Sequence, residues 1–216
     1  MCVAESVKVS ITYEEPKINP FPLNSEYDLV IIAPSKFTDD LQRLIDHKNS
    51  HDVNTILKTT EDIYNEYTGV DKPEQIKYFI KDAIETWDIT YVLLVGGLNS
   101  VVYAKPRDDA NQGSKDWSLP VRYSNLYDDP AFPLAADTIH DPGTISDLYY
   151  SDIYREGGIF ADWDPNNDGI FAAWGKPGYE NDTNLDYYPD VCLGRLACRS
   201  ATEVKTVVDK IINYES

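Results

Sequence analysis

The chain has 216 residues, 42% of them hydrophobic, and carries 37 acidic against 19 basic side chains for a formal net charge of −18. That length and apolar fraction suffice for one large α/β core or two small ones. The charge argues against a phosphate-binding surface, and so against nucleic acid and anionic membranes as partners; no apolar run reaches the roughly 18 residues that a membrane span needs.

In chain order, residues 1–25 open with the alternating SVKVSITYEE, a strand pattern, and continue through a Pro-rich lead-in. The run DLVIIAP (28–34) is continuous Val/Ile/Leu, as expected of a strand covered on both faces. Residues 37–49 place Leu41, Leu44 and Ile45 on one helical face. VNTILK (53–58) alternates more and reads as a strand nearer the sheet edge. Residues 73–87 begin with Pro and Glu, good first-turn residues, and repeat Ile76, Phe79, Ile80 and Ile84 at helical spacing. YVLLVG (91–96) is a second covered strand, and DVCLG (190–194) a fourth. A last helix is expected over 201–214, with Ser200 as N-cap and Glu203 completing a capping box. Strand, helix, strand, helix, strand in this order predicts crossovers and a parallel sheet.

Residues 99–189 interrupt the pattern. They hold no helical periodicity and many Pro, Gly, Tyr and Asp, an excursion of the length that loops reach when they carry function or are held by ions. Between residues 128 and 190 there are 14 acidic side chains and two basic ones, Arg155 and Lys176. Two thirds of the net charge therefore sits in under a third of the chain, and bound divalent cations are the simplest relief.

DWDPNNDG (162–169) gives that relief a place. Asp164, Asn166, Asp168 and Gly169 match the first, third, fifth and sixth positions of the calcium loop D-x-[DN]-x-[DN]-G, and Ile170 would offer its backbone carbonyl. Side-chain oxygens on every second residue can converge on one cation. The twelfth position is Gly175, which has no carboxylate, so closure needs another acid: Asp152, Asp162, Glu180, Asp182 or Asp186. The metal ligands expected are Asp162, Asp164, Asn166, Asp168 and Ile170, holding structural Ca2+. An Asx-rich turn without metal is the alternative.

Catalytic signals are weaker. His47 and His51 stand four apart but lack the intervening Glu of a zinc-peptidase helix, and read as surface histidines. His140 lies in a loop. Cys192 falls inside a strand pattern and reads as a small core hydrophobe; Cys2, Cys192 and Cys198 form no disulfide or metal framework. Carbohydrate or peptide stacking by the 16 tyrosines is a lesser reading than coverage of loop–core junctions.

Taken in order, YDLVIIAPSKF, VNTILKT, ITYVLLVGG, DLYYSDIY, DWDPNNDGIF and YPDVCLGRLACRSATEVKTVVDKIINYE resemble the gingipain-type cysteine peptidases, peptidase family C25, over residues 27–215. The resemblance implies an α/β, caspase-like three-layer sandwich: a four-stranded, mainly parallel sheet with flanking helices and the acidic excursion 99–189. One subdomain over 26–216 would follow the lead-in 1–25. In that family the His–Cys dyad belongs to a second subdomain, with His in a Gly-His-Gly motif and Cys ending a later strand. No histidine here is flanked by glycines, so no catalytic residue is carried over, and Cys192 and Cys198 fall in the wrong subdomain. The implied role is the non-catalytic N-terminal subdomain of a secreted or cell-surface cysteine endopeptidase. Its partner would be the C-terminal catalytic subdomain of the same polypeptide. A free-standing extracellular calcium-binding recognition or adhesion module is the alternative.

Overall fold

The computed structural model describes residues 26–102, 116–126, 145–175 and 180–216. Its strands are β1 (Leu29–Ala33), β2 (Thr55–Thr59), β3 (Tyr91–Val95), β4 (Asn125–Leu126), β5 (Tyr154–Arg155), β6 (Ile159–Phe160), β7 (Ala173–Trp174) and β8 (Cys192–Leu196). Its helices are α1 (Thr38–Asn49), α2 (Thr60–Glu66), α3 (Lys72–Trp87) and α4 (Ala201–Glu215), with 3-10 turns at Ser35–Phe37 and Asp147–Tyr150. The strand and lead-in expected over 1–25 lie outside the described residues.

Four strands form one sheet in the order β2-β1-β3-β8, every neighbouring pair parallel. Leu29 stands beside both Thr55 and Tyr91, and Tyr91 stands beside Cys192. Parallel neighbours need crossovers, and α1, α2 with α3, and the excursion supply them. All five residues of β1 are buried, because helices cover both faces.

The two-residue period of β1 divides the interior. Leu29, Ile31 and Ala33 point to one side, where they pack with Phe37, Leu41 and Leu44 of the α1 segment and Val204 and Val208 of α4. Val30 and Ile32 point to the other, against Ile76, Phe79 and Ile80 of α3. That second layer is completed by the excursion: Tyr149, Tyr150, Ile153, Trp163 and Phe171 are as buried as the helix residues. The described part of the excursion thus contributes to the core. Short ladders fix it, with β4 parallel to β7 and β5 antiparallel to β6.

Helix ends follow local chemistry. Asp71 caps α3 by accepting the Glu74 N–H at 3.1 Å, and Pro73 occupies the first turn. Asp88, left-handed at φ 56°, stops the helix. Ser200 caps α4 through the Glu203 N–H at 3.3 Å, but Glu203 accepts from the Arg199 N–H at 2.8 Å, one residue before the reciprocal bond of a capping box. The edge position expected of 53–58 is where β2 lies.

The expectation that Cys192 is a core residue is wrong. β8 is the other sheet edge, and Cys192 is exposed on it; the buried thiol is Cys198, just past the strand, in the cluster with Val204 and Val208. An edge strand has one covered neighbour instead of two, and nothing in the apolar pattern of the run announces that.

Candidate functional site

The loop over 162–170 is wound by its own carboxylates. Asp164 accepts the Asp168 N–H at 3.0 Å through Oδ1 and the Gly169 N–H at 2.9 Å through Oδ2. Asn166 Oδ1 also accepts from the Asp168 N–H at 2.9 Å, and Asp168 Oδ1 accepts the Ile170 N–H at 2.8 Å. Asp162 Oδ1 reaches the Asp164 N–H at 3.3 Å. These are Asx turns stacked in sequence, and Gly169, at φ 80°, sits where a side chain is disfavoured. The structure therefore brings Asp162, Asp164, Asn166, Asp168 and the Ile170 backbone into one tight loop. Among the described residues, however, no three His, Cys, Asp or Glu side chains are gathered into a ready-made coordination shell.

Asp182, eighteen positions beyond Asp164, is bonded to Ala173, three residues past the loop. Its N–H donates to the Ala173 carbonyl at 2.8 Å, and its Oδ2 accepts the Ala173 N–H at 2.7 Å. It is buried, and burial pushes its carboxyl up to about 7; the Ala173 bond opposes this, and the charges of Asp164, Asp168 and Asp162 add to it. Burial likewise raises Asp164, against its two backbone bonds.

A buried ionic layer supports the loop from below. Trp163, left-handed at φ 69° and fully buried, donates its indole N–H to Asp152 Oδ2 at 2.7 Å. Lys77, on α3, donates to the carbonyl of Ala161, and its ammonium nitrogen lies 4.1 Å from the centre of the Tyr149 ring. Arg122, also fully buried, forks onto the α3 cap Asp71 with bonds of 2.7 and 2.8 Å and stacks 3.6 Å over Phe171. Burial raises Asp152 and lowers Lys77. Sequence reading missed this layer: Lys77 and Arg122 look like surface bases until the aromatics around them are seen to be core.

At the carboxyl ends of β3 and β8, Arg195 ties the strands to the excursion. Its guanidinium grips Asp147 at 2.6 and 2.8 Å and donates to the carbonyls of Gly96, Leu119 and Pro120 at 2.9 to 3.0 Å. Asp190 Oδ2 accepts the N–H groups of Ile153 and Tyr154 at 2.7 and 2.8 Å. The paired glycines of YVLLVGG have a steric reason: a Cβ on Gly97 would stand 2.4 Å from the Ala197 carbonyl oxygen. A phosphate cradle is not what they build.

The thiols and imidazoles lie apart in role. Cys192 and Cys198 are both free; burial raises the Cys198 thiol and Glu203 adds to it, which disfavours the thiolate. His47 Nε2 pairs with Glu215 at 3.0 Å, and His51 Nδ1 meets the His47 carbonyl at 2.8 Å. His140 is outside the described residues.

Sheet order, layers and strand-end construction together define an α/β domain of caspase-like architecture. The peptidase family C25 model matches residues 23–216, and the chain belongs to that family. Gingipain R2 of Porphyromonas gingivalis is 24% identical over 209 residues, covering 96% of this chain and 19% of the relative. Gingipain R1 of the same organism is 23% identical over 210 residues, covering 96% and 14%. Among solved structures, dimeric latent PorU from Porphyromonas gingivalis matches with a TM-score of 0.53 at 16% identity, over 87% of this chain and 15% of that one. The Arg-specific cysteine proteinase gingipain R (RGPB) matches with 0.50 at 22%, over 91% and 30%. The chain thus spans about a fifth or less of the length of these curated relatives.

Proposed function

We propose that this chain is the non-catalytic N-terminal subdomain of a secreted gingipain-like cysteine endopeptidase, and that it buttresses a catalytic subdomain of the same polypeptide. One observation carries the reading: the polar residues of the ordered motifs are engaged in holding the fold. Asp190 binds two backbone N–H groups, Arg195 holds Asp147 and three carbonyls, and Asp152 holds Trp163. The partner's place is the free edge of β8, whose outer backbone groups have no strand neighbour among the described residues. Among those residues no helix is long and apolar enough to cross a membrane.

The loop Asp162, Asp164, Asn166, Asp168 and Ile170 would hold structural Ca2+. All its donors are oxygen, as a hard cation prefers. Each carboxylate oxygen that accepts one N–H keeps a lone pair for a metal. Asp162, Asp164, Asp168 and Asp182 enter no salt bridge among the described residues, although the charge of Asp162 acts on Lys77. The ion would offset the charge of these neighbouring acids and stiffen the excursion, with no part in peptide cleavage.

The test is an assay of this 216-residue chain with broad peptide substrates under reducing conditions. No thiol-dependent cleavage is expected; activity that survives purification and disappears with a thiol alkylator overturns the division of labour. The recognition-module reading has one observation in its favour, since Trp174 and Tyr188 are 55% and 72% exposed. Saturable glycan or peptide binding, lost on replacing both aromatics, would turn the choice that way.

A further inference from the structure

Between the turn that follows α2 and the first half of α3 the surface opens into a cleft of about 690 Å³, a size usual for small-molecule sites. Glu66, Tyr67 and Val70 line it from the turn, and Glu74, Tyr78 and Asp82 from the helix. The last three stand at four-residue spacing and follow one another along about 12 Å of the α3 axis. Lys81, which also lines the cleft, is already held by Glu85 at 2.7 Å.

Glu74 is built in an unusual way. It is only 6% exposed, yet it lines the cleft, and it enters no salt bridge among the described residues. Oε2 accepts the Val70 N–H at 2.6 Å, while Oε1 makes no hydrogen bond among those residues. Burial pushes the carboxyl up against the Val70 bond and the charge of Arg122, and the charges of Asp71 and Asp162 add to the rise. A carboxylate so enclosed normally finds a donor for each oxygen. Two turns further on, Asp82 is exposed and accepts the Tyr67 hydroxyl at 2.8 Å, again without a basic partner among the described residues. Tyr78 stands between the two acids, its ring stacked on Phe160 at 4.4 Å.

This lining suits an amine better than a peptide backbone or a metal. The main chain of the turn is largely engaged: the Tyr67 N–H donates to the Ile63 carbonyl, the Tyr67 carbonyl accepts from Gln75 Nε2 at 2.6 Å, and the Val70 N–H is on Glu74. No strand lines the cleft, so an extended peptide finds no edge to pair with. Among the described residues no three acids are gathered closely enough to share a metal ion. What the cleft presents is a carboxylate near each end and a tyrosine between them. Ammonium groups fit the ends, and a methylene chain fits the ring.

We propose that the cleft binds a linear polyamine, laid along α3 with one ammonium on Glu74, another on Asp82 and its methylenes over Tyr78. The site is independent of the acidic loop of the excursion and of the peptidase reading.

The experiment is a calorimetric titration of the whole chain with spermidine at about 0.15 M salt, which screens diffuse attraction to exposed charge. The wild type is expected to bind one equivalent saturably. Glu74→Gln keeps an oxygen for the Val70 N–H and removes the charge, and should bind about tenfold more weakly or worse. Asp39→Asn, an exposed acid on α1, should bind as the wild type does. Asp82→Asn, also at an exposed position, tests the span: it should weaken spermidine more than the shorter putrescine. In thermal melts spermidine should raise the Tm of the wild type and not that of Glu74→Gln. Should Glu74→Gln lose its cooperative melt, Asp82→Asn decides alone. Absence of saturation in the wild type, or equal binding by Glu74→Gln and Asp39→Asn, overturns the proposal. A lysine-containing peptide that binds more tightly than spermidine and displaces it gives the cleft to a polypeptide and overturns it as well.

Discussion

Lys77 places an amine in the aromatic layer beneath the excursion, bonded to a single carbonyl and ringed by Tyr149, Phe160 and Trp163. Burial pushes it down to about 7, with Asp152 pulling the other way. In the unfolded chain the same amine titrates near ~10.4. Between those values the unfolded state binds a proton that the folded state does not, so this group's contribution to stability falls as pH drops from about 10 to about 7. Wild-type protein should therefore gain on Lys77→Met in urea unfolding as pH is raised from about 7 to about 9.5. A gap that stays constant would mean the amine is already charged and paired in the fold. Neither Lys77 nor Arg122 was legible as an interior residue in the sequence, because a base at helical spacing looks like a solvated face and a base in an irregular stretch looks like a surface loop. Asp164, Asn166 and Asp168 were legible, because the signal there is a spacing of oxygen donors within one short segment.

Among the elements, the strands β1 and β3 and the helices α1, α3 and α4 announced themselves through long apolar periods. Helix α2 did not. Seven residues with only Thr60 and Ile63 buried give no period to detect, although Thr59 accepting the Asp62 N–H at 3.1 Å is a capping signal that was there to be read. The two-residue strands β4 to β7 are likewise products of tertiary pairing. The glycine pair after β3 is an element-scale device, since it lets the ends of β3 and β8 pass at backbone contact. Gly97→Ala would drive a Cβ to 2.4 Å from the Ala197 oxygen. Backbone cannot yield as a flexible side chain does, so a loss at or above the upper end of about 1–3 kcal/mol is expected in denaturant unfolding. Gly194→Ala is the control: the nearest atom to its added Cβ is a Leu93 methyl at 4.0 Å, and little change is expected.

For the whole molecule, the excursion is where sequence and fold diverged most in weight. Read as composition it was a loop, acidic and rich in turn formers. Folded, it delivers Tyr149, Tyr150, Trp163 and Phe171 to the layer over β1 and β3, and Asp152 accepts the indole N–H of Trp163 there. Isolated aromatics spaced irregularly among polar residues give no period, so their burial emerges only when the sheet is present to receive them. Calcium should then stabilise more than a surface loop. At about a hundredfold excess over Kd, binding adds about 2.7 kcal/mol, or roughly 5–10 °C in Tm for a chain of this size. Scanning calorimetry with calcium against chelator checks this, and an unmoved transition would remove the metal from the account.

The β3–β8 pairing has a further consequence, in the order of events during folding. Strands β1, β2 and β3 are joined through helices within fewer than seventy residues, Leu29 to Val95. β8 reaches β3 only after the chain has travelled from Val95 to Cys192, almost a hundred residues, and closing so long a parallel contact carries the largest chain-entropy penalty in the sheet. The three-stranded half with α1 and α3 can assemble early, leaving an unpaired β3 edge until the excursion has condensed around its aromatics. Arg195, which reaches Asp147, Leu119 and Pro120 from the end of β8, can engage only at that last step. The strand that closes this sheet is thus the last to pair, and its outer edge takes its final place only once the excursion has condensed.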